Sequence, residues 1–391
     1  MGETRLTDPT LEYETQADAR ERRRHVLAGV GVLVVCCVLW GYSFPVMQIA
    51  AGAFERHMLP ERASAELLGV RGVFNGVRFL LAAGVYALVV ALGRRLGRAR
   101  NEPGHSARAL PEAPPRMLGA RELRAGVVVG TFFGAGMLLQ VMGLVWTLPS
   151  VSAFLTSLAV VFAPVGQAAI LKRRVGVVVW FAVTVAVIGV VMLSWPKGGQ
   201  EVAQHTLAVR PPVAALGELL TVAAAVLFTA QILAVDHFGR SSAERDNAPL
   251  FDAPLAERIP PRPPVNSAGM TLIMLTTTGT LSLITGLAVA RTNVWTTTAW
   301  RGVLADVTFW WSMGSLVVFC SVMALSLMNR YQPRVSAAVA AVVYCTEPVF
   351  GTAFSLAFGA EKLTLLTVLG GMAVLGAVAV VGVGGTSDER S

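Results

Sequence analysis

The stretch PSVSAFLTSLAVVFAPVG, residues 149–166, returns as PRVSAAVAAVVYCTEPVF at 333–350. Pro149, Val151, Ser152, Ala153 and Pro164 recur as Pro333, Val335, Ser336, Ala337 and Pro348, at a constant offset of 184. Further on, Ile188-Gly189 aligns with Leu375-Gly376 at an offset of 187, so the second copy carries three extra residues between these points. A pattern that returns about halfway along 391 residues marks one structural unit written twice.

The residues around the pattern say what kind of unit it is. Hydrophobic residues make up 54% of the chain and charged ones 14%, against roughly 25% charge in a soluble protein. The apolar residues lie in runs such as Val26 to Leu39 and Ala125 to Trp146, near the ~20 residues that carry a helix across a bilayer. This predicts an all-α integral membrane protein. Hydropathy places ten transmembrane helices near 26–48, 74–92, 125–146, 150–170, 175–195, 213–235, 269–290, 308–328, 335–357 and 363–384. They divide into a first five-helix repeat, 26–195, and a second, 213–384, with tails at 1–25 and 385–391. Because five is odd, the second unit starts on the opposite side of the membrane, which gives two inverted repeats. Within the third span, Gly126, Gly130 and Gly134 recur every four residues, setting bare backbone on one face for close helix packing.

Charge orients the chain. With the N-terminus inside, inner segments hold 23 of the 32 Lys and Arg and outer segments 9, so both termini are expected in the cytoplasm. The long inner connections, 93–124 and 236–266, are rich in Arg and in prolines such as Pro111, Pro114, Pro115, Pro260, Pro261, Pro263 and Pro264. That composition predicts flexible loops. The net charge of +8 is then mostly topology, and without a folded basic surface it does not imply nucleic acid. Twenty-nine Arg against three Lys point to a GC-rich bacterial genome, and so to the inner (cytoplasmic) membrane. The first apolar run follows Arg20 and Arg22 to Arg24 as a signal peptide's would, but it is too long and meets Trp40-Gly41-Tyr42 rather than a small-residue cleavage site. It is expected to stay as the first span.

Three stretches carry a family resemblance. They are Trp40-Gly41-Tyr42-Ser43-Phe44, Asn75-Gly76-Val77-Arg78-Phe79 and, most specifically, 335–376. In the last, Glu347-Pro348-Val349-Phe350, Gly359-Ala360-Glu361-Lys362-Leu363-Thr364 and Gly370-Gly371 follow in order. The chain resembles the EamA-type transporters of the drug/metabolite transporter superfamily. The first half departs from the pattern, with Ala163 before Pro164 and Lys172-Arg173 where a glycine-glutamate pair would stand. The resemblance implies a central cavity between the halves, reached alternately from either side as one half rocks against the other.

Of 32 basic and 24 acidic residues, Arg78, Glu218 and Glu347 fall clearly inside spans. A charge there costs several kcal/mol unless it is paired or faces a cavity. Glu347 lies 12 residues into its span, about 18 Å deep at 1.5 Å per residue. It precedes Pro348, whose missing N–H frees a carbonyl one turn earlier, that of Tyr344. Such a carboxyl is suited to bind a cationic or polar group or to take up a proton; alternatively it caps loose backbone at the kink. Glu218, near the outer end of the sixth span, is a second proton-coupling candidate or a snorkelling acid. Arg78, opening the second span near the outer surface, reads as an anchor or a partner for an acid.

Polar residues complete a cavity lining: Ser43, Gln48, Gln140, Ser152, Thr156, Gln231, Asn329, Tyr331 and Tyr344. Interhelical hydrogen bonding explains many such residues in membranes. Trp40 and Tyr344 offer aromatic faces to amphipathic or cationic solutes, and Trp310-Trp311 resemble an interfacial belt. Pro164 and Pro348 predict two kinked helices facing each other.

Intramembrane enzymes fit poorly. All five histidines lie outside the apolar cores, as do the seven aspartates, so a Ser–His dyad, an aspartate pair and a histidine metal site are not expected. No GxxxxGK[ST] loop is present. Cys36, Cys37, Cys320 and Cys345 sit in apolar runs and read as packing residues. No metal and no cofactor is implied; the partners are a small-molecule substrate and the lipid bilayer, with a homodimer left open. The sequence predicts a secondary exporter or facilitator of small organic metabolites, amino-acid-like, amphipathic or cationic, with proton coupling through Glu347 or Glu218 left open. A nucleotide-sugar or lipid-like carrier and a non-transport scaffold are the alternatives.

Overall fold

Apolar segments removed from water can satisfy their backbone only internally, and this chain does so as helices. The computed structural model describes residues 9–59, 64–100, 118–143, 146, 149–194, 211–240, 264–290, 296–358 and 364–384. In chain order these form α1 (Pro9–Met58), α2 (Ser64–Arg100), α3 (Ala120–Gly143), α4 (Pro149–Ser157), α5 (Ala159–Ala169), α6 (Val177–Ser194), α7 (Pro211–Gly239) and α8 (Ser267–Val289). Then follow α9 (Thr297–Ala305), α10 (Val307–Ser315), a π-helical stretch (Leu316–Met323), α11 (Ala324–Tyr331) and a 3-10 turn (Gln332–Arg334). The last three are α12 (Ala337–Tyr344), α13 (Glu347–Ala357) and α14 (Leu365–Gly384). No strand occurs among the described residues.

Eight helical segments in the described residues are long and apolar enough to cross a membrane, and Phe154–Ala169 and Val177–Leu193 are shorter apolar helices. Their outer faces expose Phe181, Leu219, Ile284, Phe319 and Leu375. Large side chains of this kind are tolerated outside a core where the surroundings are lipid. The chain is an all-α, multi-pass membrane protein.

Several boundaries differ from the sequence reading, for local reasons. The tail at 1–25 is helical from Pro9 and the connection at 93–124 stays helical to Arg100, because the Ala, Glu and Arg there are good helix formers that extend the span beyond its apolar part. The same happens at 236–239, the last turn of α7. Residues 101–117 and 241–263 of the expected loops, 1–8 and 385–391 of the tails, and Gly359 to Leu363 of the family-like motif lie outside the described residues. α2 starts ten residues earlier than hydropathy placed it, so Arg78 lies well inside the helix.

The predicted glycine face is real. A Cβ on Gly130 would sit 2.8 Å from the Met274 carbonyl oxygen, and one on Gly134 would sit 3.1 Å from Thr278 Cα, so α3 rides directly on α8. The Thr278 hydroxyl donates to the Gly130 carbonyl at 3.1 Å across this contact. α2 grips the other side of α8, where a Cβ on Gly72 would meet Gly286 Cα at 2.7 Å. α6 and α14 pair likewise, Gly189 against the Gly370 carbonyl oxygen. α1 packs along the π-helical stretch, α11 and α13, and a Cβ on Gly41 would lie 2.6 Å from Phe350 Cβ. α7 stands against α3, α4 and α5.

Candidate functional site

Two spans are interrupted. The first breaks at Leu158, between α4 and α5, and Pro164 sits inside α5. The second breaks at Cys345-Thr346, where Cys345 N–H donates to the Ala341 carbonyl and Thr346 N–H to the Val343 carbonyl at 3.0 Å. The turn comes before Pro348 rather than at it. Pro348 is therefore the second residue of a new helix, where a missing N–H costs nothing, and the expected kink around Tyr344 is replaced by a helix end.

Glu347 opens that new helix. It stands ten residues from each end of the Ala337–Ala357 span, about 15 Å from either side at 1.5 Å per residue. The side chain is half-buried and has no hydrogen bond or ion pair with any described residue. It occupies a first turn, where unpaired N–H groups favour negative charge. Cys37, Cys320, Tyr344 and Cys345 lie within electrostatic reach of its carboxyl.

Aromatic and hydroxyl groups are linked through Tyr344, one turn before Glu347. The Trp40 ring lies 5.7 Å from that of Tyr344, and its indole N–H donates to the Cys320 carbonyl at 3.1 Å. The Ser43 hydroxyl donates back to the Trp40 carbonyl at 2.6 Å. The Tyr344 hydroxyl donates to Gln332 Oε1 at 2.8 Å, and Gln332 Nε2 donates to the Ile232 carbonyl at 2.8 Å. Trp40, Tyr344 and Gln332 thus form one connected group, with Glu347 within electrostatic reach of Tyr344, while the Ser43 hydroxyl is engaged within α1. Gln332, completely buried, escaped the sequence reading, since it falls in a presumed connection and its partner lies 100 residues away.

Other candidates lie elsewhere. Gln140 donates to Thr156 at 3.1 Å and Thr156 to the Ser152 carbonyl at 2.8 Å, tying α3 to α4. The Ser152 hydroxyl is buried without a partner among the described residues. Gln231 is buried with Nε2 on Met328 Sδ at 3.7 Å; Asn329 donates to Thr271 at 2.9 Å. Gln48 is exposed, and Glu218 is exposed in the early part of α7 and joins neither group. All four cysteines are buried and free; the thiols of Cys36, Cys37 and Cys320 donate to the carbonyls of Ala324, Val343 and Leu39, binding α1 to its neighbours. Arg78, expected at the surface, is 4% exposed.

Each end of the bundle carries an ionic cluster. At one end Arg173 and Arg240 hold Asp236 at 2.7 and 2.8 Å, and Arg240 also donates to the Val335 carbonyl at 2.6 Å. Asp236 was expected outside every span; the extra turn of α7 carries it into the packed end, where it is completely buried. At the other end Asp306 accepts from Arg56 at 3.4 Å and faces His57 Nε2 at 3.1 Å. The Phe309 backbone N–H, with the His57 contact, the Thr308 N–H and the Arg56 charge, holds the Asp306 carboxyl below its usual value.

No family model and no curated protein matches the chain. Among 21 matching chains of solved structures, one described only as "Crystal structure of protein" superposes with a TM-score of 0.58 at 14% identity, covering 90% of this chain and 96% of that one. At that identity the likeness is one of fold.

Proposed function

We propose that the chain is a secondary transporter of small organic metabolites, an EamA-type protein whose ten spans form two inverted five-helix repeats in a bacterial cytoplasmic membrane. The observation that carries this reading is Glu347: an acid at the midpoint of an interrupted helix, within electrostatic reach of the Tyr344 that faces Trp40, with no partner among the described residues. A carboxyl held there at several kcal/mol of cost is suited to accept a proton or a cationic group in alternation.

The packing is consistent with a repeat. Counting α4 with α5, α10 with α11, and α12 with α13 as single spans, the second span pairs with the seventh and the fifth with the tenth. The first span packs on the eighth and ninth as the sixth packs on the third and fourth. Those are the pairings a two-fold relation between halves would produce. The Asp236 and Asp306 clusters each join a residue of the first half to the second, so opening either end separates charges.

The test is uptake and efflux of a metabolite panel in inverted vesicles, with and without a pH gradient. Glu347→Gln is expected to abolish gradient-driven movement at unchanged protein level. Unaltered pH-dependent transport by that variant would remove Glu347 from coupling. Transport indifferent to collapse of the gradient would make the protein a facilitator.

A further inference from the structure

Arg78 has no role in the site built around Glu347, yet it is the more unusual residue. It lies 12 residues into the Glu66–Leu96 span, about 18 Å along the helix. At 4% exposure it cannot snorkel to either interface. An arginine stays protonated there, so the fold carries a permanent buried cation.

Its surroundings are all neutral. Nε donates to the Ser321 hydroxyl at 3.0 Å, Nη1 contacts Met47 Sδ at 3.9 Å, and the guanidinium carbon lies 5.1 Å from the centre of the Phe79 ring. No carboxylate pairs with it among the described residues, and the Nη2 edge has no acceptor there. A guanidinium offers five donors in a planar fork; here two are engaged, one of them with a thioether, a weak acceptor. Structural arginines in membranes are paired with acids or carbonyls, and this one is held instead by a side chain that leaves its fork open.

The holder is itself positioned. Ser321 lies in the π-helical stretch Leu316–Met323, a geometry that frequently marks functional positions. The preceding residue, Cys320, is fixed from α1 by the Trp40 indole on its carbonyl and by its own thiol on the Leu39 carbonyl. Cys320 is also within electrostatic reach of both Arg78 and Glu347, while the two charges form no ion pair. The cation and the acid therefore flank one short segment of the π-helical stretch.

We infer that Arg78, oriented by Ser321, is the binding site for a single carboxylate of the transported solute, which narrows the substrate class to small organic solutes bearing one carboxylate. The inference rests on the transport reading above. A carboxylate matches the fork in bidentate geometry, and one cation balances one negative charge. A solute carrying a diphosphate would leave charge unbalanced among Met47, Phe79 and Cys320. At 4% exposure the guanidinium has little free surface, so a carboxylate engages the whole fork when α1 and the π-helical stretch separate.

The test reads binding and transport separately. Purified protein in nanodiscs is titrated with matched pairs, each a free amino acid or short monocarboxylate against its amide, and the thermal midpoint is followed; the same pairs are then assayed for transport in proteoliposomes. Wild-type protein is expected to bind the free carboxylate ~10- to 100-fold more tightly than the amide, the range a charged hydrogen-bonded pair supplies. Arg78→Gln should bring that ratio close to one, Arg78→Lys should restore part of it, and Ser321→Ala should lower it several-fold. A ratio near one in wild type, or a wild-type ratio that persists in Arg78→Gln, overturns the inference. If Arg78→Gln does not fold, Ser321→Ala decides: an unchanged ratio there overturns it. Preference for the carboxylate in nanodiscs without transport of any member would overturn the transport reading and leave the carboxylate site standing. Preference confined to solutes that also carry an ammonium would place Glu347 at the other end of the same ligand.

Discussion

Tyr344 reaches two neighbours with two different parts of its side chain: its ring faces Trp40 and its hydroxyl satisfies Gln332. Removing only the hydroxyl separates the two roles. Tyr344→Phe should keep the aromatic contact and leave Gln332 Oε1 buried without its donor, at a cost of about 1–3 kcal/mol. The expected outcome is a lower thermal midpoint in detergent, with the ring contact to Trp40 retained. An undiminished midpoint would mean that water replaces the phenol. At this scale the sequence was informative where chemistry alone decides. An acid in an apolar run cannot be ordinary, so Glu347 stood out. Arg78 was misplaced because hydropathy began its span at 74, whereas the structured helix starts at Ser64. Gln332 was missed because its partners come from α7 and α12, an arrangement that no local pattern encodes.

Helices approach closely here only where side chains are absent. Gly130→Leu would drive a branched side chain into the Met274 backbone and the Thr278 hydrogen bond. Overpacking of this kind costs about 1–3 kcal/mol. The variant should show a lower thermal midpoint and a broader elution profile, whereas Gly31→Leu, with open space around it, should change neither. The glycine spacing made this contact legible in advance, because a four-residue period fixes one helix face. The identity of the facing helix was not legible, since α8 lies more than a hundred residues away. The prolines were half legible. They announced interruptions in two spans, but a proline at the second position of a helix and one inside a helix look alike in sequence; only the turn at Cys345-Thr346 distinguishes Pro348 from Pro164.

Across the whole molecule the two ionic clusters are unequal. Asp236 is sealed, with its arginines 16% and 15% exposed, while Asp306 is 14% exposed and its partner Arg56 is 62% exposed. Solvent-exposed pairs contribute little and are screened by salt; a sealed acid between two cations resists both. The carboxyl of Asp306 titrates below its usual value of 3.8. Its contribution is therefore present above about pH 4 and is lost as pH falls through the lowered value. Hydrogen exchange at 300–310 should accelerate on raising salt from about 0.1 M to 1 M, where the screening length falls to about 3 Å, and again in acid. Exchange at 333–340, beside Asp236, should respond much less to salt. Equal responses at the two ends would contradict the asymmetry. The difference has a meaning beyond stability. In the transporter proposed above, a gate held by a screened contact and a gate held by a sealed one would not open with equal readiness, so ionic strength on either side of the membrane would bias which way the empty protein faces.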